Sequence, residues 1–248
     1  MADRGCTLTQ RDRRWGASDE TVFPRAFGGK DLSAVEPTGM KPIIGLAGGI
    51  GAGKSSVARI LESLGAAVID SDQQVRELYR DPQVVSKLRE WWGDCVVGRT
   101  GGVDRQAVAA IVFKVPAELE RLERLLYPRL ACGREEKIDV LQQDPRVRAI
   151  VLDSPKLYEV GLDTICDAII FVDADWSVRS KRVTVSRGWN LEQLQQREKL
   201  LISLDRKRAL ADHVIENHAD TAALRGETRR VFSSILAAGQ TDVSSRCS

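Results

Sequence analysis

Short apolar runs alternate with amphipathic segments through residues 41–238, and this alternation predicts the layout of the chain. Buried parallel strands are expected at the apolar runs, which cover 43–47, 66–69, 149–152, 168–172 and 214–215. The segments between them carry apolar residues at helical spacing. Strands that alternate with helices predict an α/β protein of three layers, with a parallel five-stranded sheet whose ligands bind at the carboxyl ends of the strands.

Two stretches between the strands are longer than a simple crossover needs. Residues 71–146 are almost wholly helical in pattern, with a helix start at Pro116. We expect this stretch to be an inserted subdomain that forms the wall of an acceptor pocket, and its leucine stripe around 119–126 to be ordinary core packing. Residues 176–205 are rich in arginine and follow the fourth strand, which favours a helical lid.

The ends of the chain show weaker patterns. Residues 222–238 predict a last amphipathic helix, followed by a tail over 239–248. Residues 1–40 show neither helical nor strand periodicity, which is typical of a disordered extension. Met40 stands just before the first predicted strand, and we hypothesise that it is the true initiator. N-terminal sequencing of the native protein tests this, since a chain that begins at Met1 contradicts it.

The composition limits which kinds of binding partner the chain is expected to have. The 37 Lys and Arg residues nearly balance the 35 Asp and Glu residues, so the chain has no general electrostatic attraction for nucleic acid or an anionic membrane. Its five cysteines lie far apart without CxxC spacing, which argues against a disulfide framework or zinc site and favours a reducing compartment. No apolar run approaches the roughly 18 residues of a membrane span. We expect a cytoplasmic monomer that binds small molecules.

The most specific motif lies between the first predicted strand and the following helix. Residues 48–55 read GGIGAGKS and fill every fixed position of GxxxxGK[ST], which predicts a P-loop NTPase fold that binds a nucleoside triphosphate and Mg²⁺. The alternative is a glycine-rich turn with a fortuitous lysine. Backbone N–H groups of such a loop cradle phosphates, its lysine reaches the β- and γ-phosphates, and its first hydroxyl binds Mg²⁺. Here Lys54 is the lysine, Ser55 is the metal ligand, and Ser56 can donate to the α-phosphate. The remaining loop positions are Gly48, Gly49, Gly51, Ala52 and Gly53.

Carboxylates follow two of the predicted strands. Asp70 and Asp72 come directly after the second strand, so one of them is well placed as the base that transfer to a hydroxyl requires. The alternative for either is to cap the helix that begins near Gln73. Asp153 closes the third strand and could organise Mg²⁺ through water.

Arginines can hold phosphates, because the guanidinium fork matches phosphate oxygens bidentately. For each arginine the alternative is a solvated helix face. The candidates are Arg76, Arg105, Arg182, Arg187 and Arg197.

The phosphate loop and four further segments together resemble the dephospho-CoA kinase family. The resemblance covers roughly residues 41–238, and the segments are 45–55, 69–76, 102–105 with 126–128, 153–159 with 161–162, and Lys207 with 211–212 and 214–217. It implies transfer of the γ-phosphoryl group of ATP to the ribose 3′-hydroxyl of dephospho-CoA, the last step of coenzyme A biosynthesis.

The same resemblance implies roles for individual residues. Asp72 looks like the general base, acting with Lys54 and the lid residues Arg182 and Arg187. Asn217 would lie near the adenine of ATP. The acceptor-facing residues would be Asp70, Arg76, Arg105 and Glu159.

The chain departs from the family pattern in the acceptor wall and the lid. The departures are Tyr127 for a usual His, Lys156 and Tyr158 for usual apolar residues, Ser186 for a common Arg, and Leu201 and Ser203 for the usual Gln and Pro. Two rival functions are a P-loop kinase for another nucleotide or small alcohol, and an ATP-binding regulator without transfer activity.

Overall fold

The computed structural model describes residues 40–218 and 220–245. Almost all of the predicted N-terminal extension lies outside these ranges. The predicted parallel five-stranded sheet is confirmed, with the strand order β2-β3-β1-β4-β5. The strands are β1 (Ile43–Gly48), β2 (Ala66–Asp70), β3 (Ala149–Asp153), β4 (Ala168–Asp173) and β5 (His213–Glu216).

Helices fill the connections between the strands. They are α1 (Lys54–Ser63), α2 (Ser71–Leu78), α3 (Pro82–Trp92), α4 (Arg105–Val112), α5 (Pro116–Gln143), α6 (Trp176–Arg187), α7 (Leu191–Glu198), α8 (Leu204–Ala209) and α9 (Thr221–Ser245). The predicted start at Pro116 is confirmed. The last helix was predicted to end at residue 238, but it continues to Ser245, so most of the expected tail is helical.

The sheet has an apolar core on each face. On one face α1 and α9 pack against it, with Leu46, Leu61 and Phe232 at the centre. On the other face Leu157 and Phe171 pack with residues of α5 and α8. The central residues of the strands are mostly apolar because helices cover both sides of a parallel sheet.

The helices between β2 and β3 have a core of their own. Val84, Leu88 and Val108 are buried there together with Leu122 and Leu126 of the leucine stripe. The stripe is therefore core packing, as expected, and the insertion carries a separate apolar centre. Among the residues that the structure describes, no helix is long and apolar enough to cross a membrane.

Candidate active site

The phosphate loop joins β1 to α1 through glycines in unusual backbone conformations. Gly48, Gly51 and Gly53 have φ values of 141°, 79° and 97°. A Cβ atom at Gly48 would lie 2.5 Å from the carbonyl oxygen of Val172, and one at Gly53 would collide with the side-chain amide of Asn217. The turn therefore requires glycine at these positions, since only glycine adopts such φ values without strain.

The loop presents unpaired donors at the start of α1. This helix begins at Lys54 without a side-chain cap and without an acidic residue in its first turn. Within the described ranges, the N–H groups of Gly51, Gly53, Lys54 and Ser55 have no protein acceptor. Free donors at the positive end of a helix attract anions, so the geometry suits the phosphates that the motif predicts.

Lys54 lies against the loop that it follows. Its Nζ donates to the carbonyl oxygens of Gly48 at 3.0 Å and Gly49 at 3.3 Å. Burial lowers the pKa of Lys54, and the carboxylate of Asp153 opposes that shift. A desolvated ammonium group gains more from a neighbouring phosphate than an exposed one does, because the local dielectric constant is low.

The two carboxylates after β2 have different environments. Asp70 is the N-cap of α2, and its Oδ1 accepts from the N–H groups of Asp72 at 2.8 Å and Gln73 at 3.2 Å. The capping alternative is therefore realised by Asp70. Asp72 is exposed, its carboxylate has no hydrogen-bond donor among the described residues, and its charge acts on Lys54. Asp72 is thus free to meet an attacking hydroxyl, and the specific roles of both residues stay predictions.

Asp153 lies beside these groups at the end of β3. It is in register with Asp70 on one neighbouring strand and with Leu46 on the other. Burial raises the pKa of Asp153, Lys54 opposes this, and the charges of Asp70 and Asp72 add to it. In the described part of the chain, no three His, Cys, Asp or Glu side chains form a group that could hold a metal ion.

Arg182 and Asn217 contact the far side of the loop. Arg182 donates from Nη1 to the carbonyl oxygen of Ala52 at 3.3 Å and from Nη2 to Oδ1 of Asn217 at 3.2 Å. The Nδ2 of buried Asn217 donates to the same Ala52 oxygen at 2.7 Å. The structure thus brings both predicted residues to the loop.

Two arginines of the predicted lid contact the same indole ring. The guanidinium carbons of Arg197 and Arg187 lie 4.0 and 5.0 Å from the ring centroid of Trp189, and cation–π attraction favours both contacts. The charge of Arg187 also contributes to the lowered pKa of Lys54. Arg187 is therefore within electrostatic reach of Lys54, and its role at the phosphates stays a prediction.

The acceptor-side arginines lie on the inserted helices. Arg76 is one turn after Asp72 on α2 and shares its helix face. Arg105 is the first residue of α4, which Asp104 caps, and its charge acts on the hydroxyl of Tyr79. Both arginines are exposed, and contact with an acceptor stays a prediction.

One carboxylate oxygen of Glu159 is engaged by protein, and the other, Oε2, is buried without a hydrogen-bond partner among the described residues. Its Oε1 pairs with Nζ of Lys207 at 2.8 Å and accepts from the N–H of Ile202 at 2.9 Å. Lys207 is 2% exposed and also donates to the carbonyl oxygen of Pro155 at 3.1 Å. Glu159 thus holds the segment after β3 and the segment before α8 together, and its contact with a substrate stays a prediction. Motif position alone could not distinguish this ion pair from a ligand contact.

Two residues that no sequence motif singles out, Arg179 and Glu198, hold the backbone of Ile50 at the tip of the phosphate loop. Glu198 accepts from the N–H of Ile50 at 3.3 Å through Oε1, and this same oxygen pairs with Nη1 of Arg179. Arg179 donates to the carbonyl oxygen of Ile50 at 3.3 Å and to that of Ala174 at 3.1 Å. The partners lie on different helices, so no local spacing signals the contact.

Several departures from the family pattern have structural partners. Tyr127 donates to Oε1 of Glu123 at 2.7 Å, and Lys156 reaches the same oxygen at 3.3 Å. Two of the departures outside the lid, Tyr127 and Lys156, thus meet on one carboxylate, which joins α5 to the segment after β3. Ser203 accepts from the N–H of Arg206 at 3.4 Å and caps α8.

Comparisons with known proteins point to one family. A family model described as dephospho-CoA kinase matches residues 42–223. The dephospho-CoA kinase of Deinococcus radiodurans is 35% identical over 184 residues, which cover 74% of this chain and 87% of that protein. The corresponding enzyme of Synechococcus sp. is 36% identical over 191 residues, which cover 76% and 91%.

Solved structures show the same fold. The crystal structure of TT1252 from Thermus thermophilus has a TM-score of 0.70 at 29% identity and covers 79% of this chain and 97% of its own. Dephospho-CoA kinase from Campylobacter jejuni has a TM-score of 0.62 at 22% identity, covers 80% and 99%, and shows the fold alone. Because the family model spans most of the chain and the relatives are more than 30% identical over about three quarters of it, the chain belongs to the dephospho-CoA kinase family.

Proposed function

We propose that the chain transfers the γ-phosphoryl group of ATP to the ribose 3′-hydroxyl of dephospho-CoA, giving coenzyme A and ADP. The observation that carries this proposal is the free carboxylate of Asp72 at the sheet edge where the phosphate loop and Lys54 also lie. A protein that only binds a nucleotide has no need of a base in that position. Membership of the family supplies the acceptor.

The phosphate loop holds the triphosphate in this proposal. The free N–H groups of Gly51, Gly53, Lys54 and Ser55 surround the β-phosphate. Lys54 exchanges its carbonyl partners for β- and γ-phosphate oxygens. Arg182 and Arg187 approach from the lid and offset negative charge on the transferring group. Asn217, fixed beside Ala52, borders the adenine side.

Asp72 accepts the proton of the 3′-hydroxyl as its oxygen attacks the γ-phosphorus. The bond between that oxygen and phosphorus forms, and the bond from phosphorus to the β–γ bridging oxygen breaks, so ADP carries away the electron pair. Such a transfer needs alignment and charge stabilisation rather than a covalent intermediate. Arg76, on the same face of α2 as Asp72, is placed to hold an anionic part of the acceptor.

The residues present suit Mg²⁺, which prefers hard oxygen ligands and keeps several waters. Ser55, exposed at the start of α1, would supply its hydroxyl, and Asp153 would act through water. The described carboxylates do not form a cage for the ion on their own, which fits an ion held largely by phosphates. When bound, Mg²⁺ neutralises charge on the β- and γ-phosphates.

Acceptor-dependent ADP release tests the proposal. The purified chain is assayed with ATP and Mg²⁺ against dephospho-CoA, coenzyme A and adenosine, and the product is identified by mass spectrometry. Coenzyme A is the matched control, because its 3′-hydroxyl is already phosphorylated. Turnover with dephospho-CoA alone supports the proposal. Turnover only with another alcohol favours the first rival, and ATP binding without any turnover favours the regulator.

We also propose that the protein works as a monomer in the cytoplasm. The near-neutral net charge of +2 and the scattered cysteines support this placement. Sedimentation velocity with and without ATP measures the oligomeric state, and a dimer at micromolar concentration contradicts the first part.

A further inference from the structure

The tip of the phosphate loop is held by two helices of the lid. Ile50 has both of its backbone polar groups bonded to side chains: its N–H to Glu198 of α7 and its carbonyl oxygen to Arg179 of α6. Arg179 and Glu198 also pair with each other. These three contacts form a closed set that no local sequence motif supplies.

The set is buried. The side chain of Arg179 is 7% exposed and that of Glu198 is 19% exposed. A buried ion pair contributes little net stability, whereas removal of one partner leaves an uncompensated charge. Its main consequence here is geometric, because it fixes where Ile50 lies relative to α6 and α7.

The position of Ile50 matters for the donors that follow it. Its N–H is bonded to protein, while the N–H groups of Gly51, Gly53, Lys54 and Ser55 are free within the described residues. The N–H of Ile50 is therefore not available to phosphate. The position of Ile50 instead sets the direction in which the free N–H groups after it point.

We propose that Arg179 and Glu198 are positioning residues for ATP: they hold the phosphate loop in its phosphate-binding shape and tie it to the lid. Arg182 lies on the same helix as Arg179 and contacts the loop at Ala52. The phosphate loop, α6 and the end of α7 are thus tied into one unit. This inference rests on ATP use alone and not on the identity of the acceptor.

Variants that separate charge from hydrogen bonding test the proposal. Glu198→Gln keeps an oxygen for the N–H of Ile50 but loses the charge, whereas Arg179→Met with Glu198→Leu removes both contacts to Ile50 and leaves no unpaired charge. Glu192→Gln is the matched control, since Glu192 lies exposed on the same helix α7 and, among the described residues, its side chain bonds only to Gln196.

Affinity for a non-hydrolysable ATP analogue is measured by calorimetry without any acceptor. Loss of two hydrogen bonds at the tip is expected to weaken binding about tenfold in the double variant. Glu198→Gln is expected to stay within about threefold and the control to match the wild type. In turnover assays the KM for ATP rises about as much as the binding constant, while the KM for the acceptor stays unchanged.

Two results overturn the proposal. A folded double variant that binds the analogue like the wild type shows that the tip contacts do not position the loop. Equal rises in the KM values for both substrates show a general structural defect. The binding measurement includes no acceptor. Its outcome can therefore be interpreted even if the proposed acceptor, dephospho-CoA, is incorrect.

Discussion

Replacement of Asp72 by asparagine tests the proposed base most directly. The variant keeps the size and hydrogen-bonding shape of the side chain but cannot accept the proton of the acceptor hydroxyl. General base catalysis contributes about 10²–10⁴-fold to rate, which corresponds to roughly 2.7–5.4 kcal/mol at 1.36 kcal/mol for each factor of ten. We therefore expect kcat to fall by that factor, with the KM for ATP little changed.

The structure indicates that this loss is not caused by unfolding. Asp72 is exposed and accepts no hydrogen bond from the described residues, while Asp70 alone caps α2. Its only expected structural contribution is a negative charge in the first turn, worth about 0.3–1 kcal/mol. The unfolding midpoint in urea is expected to move only slightly.

Asp70→Asn is the matched control for this experiment, because asparagine caps a helix about as well as aspartate. Both variants are assayed by coupled ADP release with saturating ATP and dephospho-CoA, and their stability is measured in parallel. The reasoning is refuted if Asp72→Asn retains more than about a third of the wild-type kcat, well above the range for a lost base. A collapse of Asp70→Asn alone would assign the base to the capping residue instead.

Three further predictions follow from buried or strained positions. Lys207→Met leaves the carboxylate of Glu159 buried and unpaired, so the free energy of unfolding in urea is expected to fall by about 3–5 kcal/mol; addition of Glu159→Gln should recover part of the loss, and no recovery contradicts the pairing. Gly53→Ala forces a side chain to a φ of 97° and should abolish ATP-analogue binding in a folded protein, whereas Gly133→Ala, on α5 with nothing within 4 Å of its Cβ, should bind normally. Burial raises the pKa of Asp153. If the ionised carboxylate supports Mg²⁺, kcat should begin to fall with decreasing pH already above the pH range in which aspartate usually titrates. A fall in kcat at low pH that is unchanged in Asp153→Asn contradicts that assignment.

The architecture could be predicted from the sequence because burial on both faces makes each strand a plain apolar run. Each of the first four predicted strands stopped one residue early, at the last apolar position. The structure extends them to Gly48, Asp70, Asp153 and Asp173, since the backbone of these residues still pairs although the apolar run has ended. The phosphate loop was equally predictable, because its function depends on backbone shape that a local glycine pattern encodes.

The contacts that hold the site together could not be predicted. Glu159 stands in a motif of the acceptor segment, and only the fold reveals that Lys207 neutralises it. The pairing of Arg179 with Glu198 joins two helices through long side chains, and the sequence holds many arginines and glutamates that could have paired. The choice between Asp70 and Asp72 as the cap depended on which carboxylate turned towards the backbone, which spacing leaves open.

The crowding of α6 against the phosphate loop restricts which sequences this protein can tolerate. In the general pattern GxxxxGK[ST] the second and fourth positions accept any residue. Here a Cβ at Gly49 would come within 2.8 Å of the Arg179 guanidinium, and one at Gly51 within 2.8 Å of the Arg179 carbonyl oxygen and 2.7 Å of Val183. The helix that packs on the loop thus closes the position of Gly51 to substitution, whereas a side chain at Gly49 would require the Arg179 guanidinium to move. The substitutions that the motif tolerates in this chain therefore depend on the packing of α6 as well as on the nucleotide.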